Sequence, residues 1–127
     1  MIKKENGASK RKYPQHVFIA SSVSCCKRIT VSEIAYIEAM KDNCLLYMKD
    51  GKHHLLSCPM CDVEVDLDVE AFKRIHRSFI VNIDYIREFN FGSVVLENGK
   101  ELTIGKLFRK AFKESLHFWG QRNRPKK

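Results

Sequence analysis

The chain has 127 residues, 44% of them hydrophobic and 30% charged, with a formal net charge of +8. That mix suits one globular domain with its own core and excludes collagen-like, mucin-like and wholly disordered chains. No apolar stretch approaches the roughly 20 residues of a membrane-spanning helix, and the opening MIKKENGASKRKYPQH lacks the apolar region of a secretory signal.

The charge is unevenly placed. Residues 1–12 hold Lys3, Lys4, Lys10, Arg11 and Lys12 against Glu5, and residues 120–127 hold Arg122, Arg124, Lys126 and Lys127 with no acid. Residues 13–119 therefore sum to zero. Segments 1–16 and 120–127 are expected to be disordered basic tails around one domain at 17–119. Such tails attract polyanions through counterion release, and they equally favour solubility.

In chain order, Val17–Ala20, Arg28–Val31 and Ala35–Ala39 are short β-branched and aromatic runs that read as strands. Asp50-Gly51 separates NCLLYM from KHHLLS, and Asn98-Gly99 separates SVVLE from KELTI. Each predicts a hairpin whose two turn residues both take positive φ. Residues 62–70, DVEVDLDVE, alternate like a strand, yet Met60, Val63 and Leu67 also fall at helical spacing behind Pro59. Ile83 to Phe91 alternates loosely and reads as another strand. From Lys106 to Trp119, a stripe of Leu107, Ala111, Phe112, Leu116 and Trp119 predicts an amphipathic helix with a basic outer face, ended by Gly120.

Chemistry-bearing patterns are few. There is no glycine-rich phosphate loop, GxSxG or HExxH, so an enzyme is not expected. The five cysteines, Cys25, Cys26, Cys44, Cys58 and Cys61, are odd in number. With no signal peptide, this points to a reducing compartment, the cytoplasm. Cys58-Pro59-Met60-Cys61 is a CxxC without the second pair a zinc site needs, and the cysteines read as small, partly buried apolar residues. No metal or cofactor is expected, although a thiol or metal switch at Cys58 and Cys61 stands as a third reading. Asp62, Glu64, Asp66, Asp68 and Glu70 read as a solvated acidic face.

The segment Phe72-Lys73-Arg74-Ile75-His76-Arg77-Ser78-Phe79-Ile80-Val81-Asn82 interleaves basic and hydrogen-bonding side chains with apolar anchors. Phe72, Ile75, Phe79 and Val81 would hold the backbone while Arg77 and Ser78 reach outward, where Arg can pair with phosphate or guanine. His76 and Asn82 read instead as polar groups satisfied inside the fold.

R-I-H-R-S-F-I-V-N at 74–82 resembles the most characteristic stretch of the LytTR DNA-binding domain. Ile34–Ala39 and the hairpins at Asp50-Gly51 and Asn98-Gly99 support the likeness, as does Leu102-Thr103-Ile104-Gly105-Lys106. Together they extend it over about residues 17–118. The resemblance implies a mostly β fold, an elongated stack of small antiparallel sheets with one short helix and a C-terminal amphipathic helix. It also assigns residues 59–67 to the short helix. It implies a bacterial transcription regulator that inserts loops, not a recognition helix, into grooves of double-stranded DNA. The contacts it implies fall at Lys41, Asp42 and Asn43 in the first loop, at Arg77 and Ser78, and at Gly105 and Lys106 entering the last helix. Members often carry Ser-Arg where Gly105-Lys106 stands, so the bidentate guanine contact of an arginine is lost there. Cys44 stands where an aromatic is common, which changes the packing beneath the first loop. Paired half-sites would suit a homodimer on DNA; no membrane or small-molecule partner is expected. Many members carry an upstream receiver domain, and the residues before the first strand are too few for one. The alternative is a protein-interaction module that modulates another regulator through the acidic segment and the C-terminal helix.

Overall fold

The computed structural model describes residues 12–120. Strands β1 (His16–Ser22) and β2 (Cys25–Thr30) form an antiparallel ribbon. A five-stranded antiparallel sheet is built from β3 (Ile34–Met40), β4 (Asn43–Met48), β5 (His53–Leu56), β6 (Phe72–His76) and β7 (Phe79–Asn82). Its order is β5-β4-β3-β7-β6. Helix α1 (Met60–Glu64) lies between β5 and β6. β8 (Ile86–Phe89), β9 (Ser93–Leu96) and β10 (Glu101–Thr103) make a three-stranded sheet in the order β10-β9-β8. A 3₁₀ turn, Lys106–Phe108, leads into α2 (Arg109–Glu114). The stack of small antiparallel sheets expected from the sequence is the architecture observed.

The central sheet separates two apolar cores. Ile37, Leu46 and Ile80 face a cluster with Ile29 of β2, Met60 of α1 and Leu67. Tyr36, Ile75 and Val81 face a second cluster with Val94, Leu96, Leu102, Ile104 and Phe112. Strand alternation sends successive side chains to opposite faces, so the ribbon and α1 cover one face while β8–β10 and α2 cover the other. The alternating acids of 62–70 do not make a strand. Met60, Val63 and Leu67 share one apolar face, and burying it outweighs the local strand pattern. The helix is shorter than the expected 59–67, and its remainder is turn.

Both Asx-Gly hairpins form, with a different turn from the one expected. The Gly51 N–H donates to the Met48 carbonyl at 3.0 Å, and the Met48 N–H to the Lys52 carbonyl at 2.8 Å. Gly99, Leu96 and Lys100 repeat the pattern. These are three-residue loops in which the glycine alone is left-handed, at φ 92° for Gly51 and 90° for Gly99. The Asp50 and Asn98 carboxyl and amide oxygens instead accept the N–H groups of Lys52 and Lys100.

Further expectations are corrected. Of the C-terminal stripe, Phe112 and Leu116 pack on the second core as expected, joined by Phe108, while Ala111 is exposed and Leu107 and Trp119 are each 94% exposed. The helix ends at Glu114, where the Ser115 hydroxyl donates to the Phe112 carbonyl at 2.7 Å, well before Gly120. At the other end, β1 starts at His16, and the Gln15 carbonyl accepts the Val31 N–H at 2.9 Å. Ile83–Tyr85 is a 3₁₀ turn, so the strand expected over 83–91 is confined to β8. The rest of the expected tails, 1–11 and 121–127, lies outside the described residues.

Asn82 fixes the corner between the cores. It is 1% exposed. Its Nδ2 donates to the carbonyls of Ser32 and Ile34, at 3.2 and 2.9 Å, and its Oδ1 accepts the Asp84 N–H at 2.9 Å. Asn82→Ala leaves those groups unpaired and is expected to cost about 1–3 kcal/mol. Urea unfolding of the variant beside the parent measures it.

Candidate nucleic-acid interface

The site is assembled from three turns. Lys41 and Asp42 form the two-residue turn between β3 and β4, where Met40 pairs with Asn43. Arg77 and Ser78 form the turn between β6 and β7. Gly105 and Lys106 open the 3₁₀ turn before α2.

Backbone bonds join them. β3 pairs with β7, and beyond that ladder the Ala39 N–H donates to the Ser78 carbonyl at 2.9 Å. The first two turns therefore lie side by side at one end of the central sheet. The third is tied in by the Gly105 N–H, which donates to the Ile75 carbonyl at 2.8 Å. Ile75 is free to accept because the β6–β7 register slips between Arg74 and His76. A bulge of this kind adds one unpaired residue to a strand and re-aims its groups. Gly105 also packs closely: a Cβ there would lie 3.3 Å from Phe108 Cδ2 and 3.4 Å from His76 Cδ2.

Within R-I-H-R-S the polar residues divide in two. Arg74 points back into the turn. Its Nε donates to the His76 carbonyl at 2.9 Å, its Nη2 to the Arg77 carbonyl at 2.6 Å, and its Nη1 to Glu64 Oε1 at 2.7 Å. His76 Nδ1 accepts the Ser78 N–H at 3.0 Å, so the ring carries its proton on Nε2 when neutral. This is the internally satisfied histidine read from the sequence, as Asn82 is the internally satisfied amide. The rings of Tyr47, Tyr36, Phe79 and His76 follow one another, with centroids 4.4, 6.4 and 5.3 Å apart. Burial, with Tyr47 and then Glu38 adding to it, pushes the Tyr36 hydroxyl up to about 12, so no phenolate forms near the turns at neutral pH.

Arg77, Lys41 and Lys106 are left exposed, and among the described residues none has a carboxylate within ion-pair distance. Asn43 and Ser78 are half-buried, Ser78 turning its carbonyl inward to Ala39. Lys41 has a φ of 58°, the one positive φ outside glycine among the described residues. The structure thus brings together every residue singled out from the sequence. Sequence reading missed Arg74 and Glu64 as the brace of the second turn, and no local signal links two side chains on different elements. It also placed Leu107 in the core, whereas it is exposed beside Lys106.

Other candidates thin out. Among the described residues, no group of three or more His, Cys, Asp or Glu is placed to hold a metal, and no helix is long and apolar enough to cross a membrane. Of the five cysteines, Cys44 is buried and Cys58 half-buried, whereas Cys25, Cys26 and Cys61 are exposed, against the partly buried reading of the whole set.

Residues 24–117 match the family described as the LytTr DNA-binding domain. The chain belongs to the LytTR family. It is 40% identical over 63 residues to the transcriptional regulatory protein LytR of Staphylococcus aureus, a match covering 46% of this chain and 26% of that protein. It is 33% identical over 60 residues to the sensory transduction protein LytT of Bacillus subtilis, covering 43% and 25%. The match spans only about a quarter of the length of these curated relatives. The fold is similar to the LytTr DNA-binding domain of a protein described as a methyl-accepting/DNA response regulator from Bacillus cereus. The TM-score is 0.70 at 20% identity, covering 83% of this chain and 99% of that one.

The brace gives a test of the LytTR turn. Arg74→Lys keeps the charge and loses the planar fork that reaches two carbonyls and Glu64 together. A loss of about 1–3 kcal/mol is expected, read by chemical unfolding, with Glu64→Gln losing less because both carbonyl bonds remain.

Proposed function

We propose that this domain binds double-stranded DNA in the cytoplasm through its three joined turns and so regulates transcription. The observation that carries the reading is the pair of backbone bonds, Ala39 to Ser78 and Gly105 to Ile75, which set three exposed cations on adjoining turns. Turns on a hydrogen-bonded sheet lose little freedom on binding, so less affinity is spent on ordering them.

The residue chemistry gives each turn a task. Arg77 forks, and it reads guanine or grips phosphate bidentately. Lys41 and Lys106 are point charges that neutralise phosphates and hold the register. Asn43 reaches a base edge or a phosphate oxygen from the base of its turn. Leu107, exposed beside Lys106, suits the methyl group of thymine. The acidic run is a poorer partner-binding face than its composition suggests. Glu64 is engaged by Arg74, and the Asp68 carboxylate accepts the Glu70 N–H.

Binding to genomic fragments, titrated across a salt series, tests the reading. Affinity is expected to fall with salt by a slope of roughly 0.9 per phosphate neutralised. Arg77→Ala should cost about 1–3 kcal/mol and relax preference at one base position, whereas Lys106→Ala should weaken all sequences alike and reduce the slope by about 1. Absence of binding at low salt overturns the function; unchanged binding in both variants overturns the site.

Lys41 separates stability from binding. A non-glycine residue pays for positive φ, so Lys41→Gly is expected to leave folding stability equal or higher by up to ~1 kcal/mol. DNA affinity should fall in the same variant. Parallel unfolding and binding titrations show whether the two move in opposite directions.

A further inference from the structure

We propose that the turn at 90–92, between β8 and β9, is a fourth DNA-contacting turn, with Phe91 as an apolar contact and Lys113 beside it as a phosphate contact. The proposal rests on the DNA-binding reading above and extends its surface past Lys106.

Backbone bonds bring this turn into the row already described. In the β9–β10 ladder, Thr103 pairs with Ser93. One residue further on, the Ile104 N–H donates to the Gly92 carbonyl at 2.9 Å. The next N–H, that of Gly105, donates to the Ile75 carbonyl at 2.8 Å. Two successive residues therefore bond turn 90–92 on one side and the bulge of β6 on the other. The Asn98-Gly99 hairpin closes the opposite end of β9, so 90–92 is the end of this sheet that adjoins Lys106. Arg109 adds a side-chain tie. Its Nε donates to the Ile104 carbonyl at 3.1 Å, and a Cβ at Gly92 would lie 3.9 Å from its Nη2.

The turn is ordered by its first residue. Asn90 Oδ1 accepts the N–H groups of Gly92 and Ser93 at 2.9 and 3.0 Å, and the Asn90 N–H donates to the Ser93 carbonyl at 2.9 Å. At the tip of this fixed loop, Phe91 is 81% exposed. Phe89, two residues earlier, shows the contrast: its ring meets that of Phe112 edge-on at 5.3 Å in the second core. Phe91 gives the core no such contact. Lys113 Nζ stands 5.8 Å from the centroid of the Phe91 ring, within cation–π range. Lys113 and Arg109 are exposed, and among the described residues neither has a carboxylate within ion-pair distance.

An exposed ring beside Lys106, Arg109 and Lys113 suits a polyanion that offers apolar surface between its charges. Duplex DNA is such a partner: its phosphates take the cations, and its grooves present sugar carbons, base edges and thymine methyl groups to an apolar side chain. Continuity with the three turns favours DNA over an acidic protein, because a duplex seated on Lys106 runs on to the neighbouring turn. The two contacts differ in kind. Phe91 adds affinity that salt does not screen, whereas Lys113 adds a counterion-releasing contact.

The test uses the full chain and the genomic fragment that binds most tightly in the salt titration above. Phe91→Ala should bind it several-fold more weakly with an unchanged salt slope, because no charge is lost. Lys113→Ala should lower the slope by about 1. Both variants should keep the parent's urea midpoint, since both side chains are exposed. Parent affinity in Phe91→Ala overturns the fourth contact, and the parent's slope in Lys113→Ala overturns its phosphate role. A photo-crosslinking residue, p-benzoylphenylalanine, in place of Phe91 reads the contact directly. Irradiation with the labelled fragment should give a protein–DNA adduct, and the same residue in place of Phe18, 69% exposed on β1, should give none. No adduct from position 91, an equal yield from position 18, or adducts from position 91 between protein chains alone overturns the proposal. A parent chain that binds no DNA overturns the DNA reading itself, whereas a parent that binds with Phe91→Ala unaffected overturns only this extension of it.

Discussion

The hydrogen bond from the Gly105 N–H to the Ile75 carbonyl is the joint on which the interface depends. The first two turns adjoin because β3 pairs with β7, a consequence of ordinary sheet geometry. Nothing in a regular ladder would bring in the segment before α2. The bulge at Ile75 does so by turning one carbonyl outward while its side chain, 0% exposed, stays locked in the second core. A strand edge that would otherwise offer unpaired groups to solvent is thus used to seat a third loop. The close approach of Phe108 and His76 at position 105 means that any side chain added there presses directly on this joint.

A division between bracing and outward-facing side chains follows from the same region. Three donors of Arg74 are spent on two turn carbonyls and one carboxylate, and His76 is spent on the Ser78 N–H. Charge-assisted bonds of this length are among the stronger ones available to a half-exposed site. They hold a turn that has no glycine, proline or asparagine to favour it. Arg77 is thereby carried on a hydrogen-bonded backbone with its own guanidinium unengaged among the described residues. Two arginines three residues apart in sequence have opposite roles because one has carbonyls within reach of its fork and the other does not.

The same contrast explains what was legible beforehand. Asp50-Gly51 and Asn98-Gly99 announce their hairpins because the turn chemistry is local. The Arg77–Ser78 hairpin is silent by that criterion, since its support comes from Arg74, His76 and Glu64. The apolar anchors of 72–82 marked Arg77 and Ser78 as reaching outward, and the family likeness added the Lys41 and Lys106 positions. Residues 62–70 show a strand pattern that tertiary burial of Met60 and Leu67 overrides, a case in which local alternation and the core disagree. In the last helix the stripe held at Phe112 and Leu116 and failed at its ends, where Leu107 and Trp119 are apolar yet exposed. A reading that assigns apolar residues to the core has no means of telling such exposed ones apart.

The three turns are not governed by one core. Cys44, Leu46 and Ile80 of the first cluster lie beneath the Lys41 turn. Ile75, Ile104 and Phe112 of the second fix the Gly105–Lys106 turn. The Arg77 turn stands between them, since β7 sends Ile80 to one core and Val81 to the other. A disturbance in the first core therefore acts on the Lys41 turn while leaving the Ile75–Gly105 joint in place, and one in the second core does the reverse. Displacement of one turn, rather than of all three, is what such an arrangement permits.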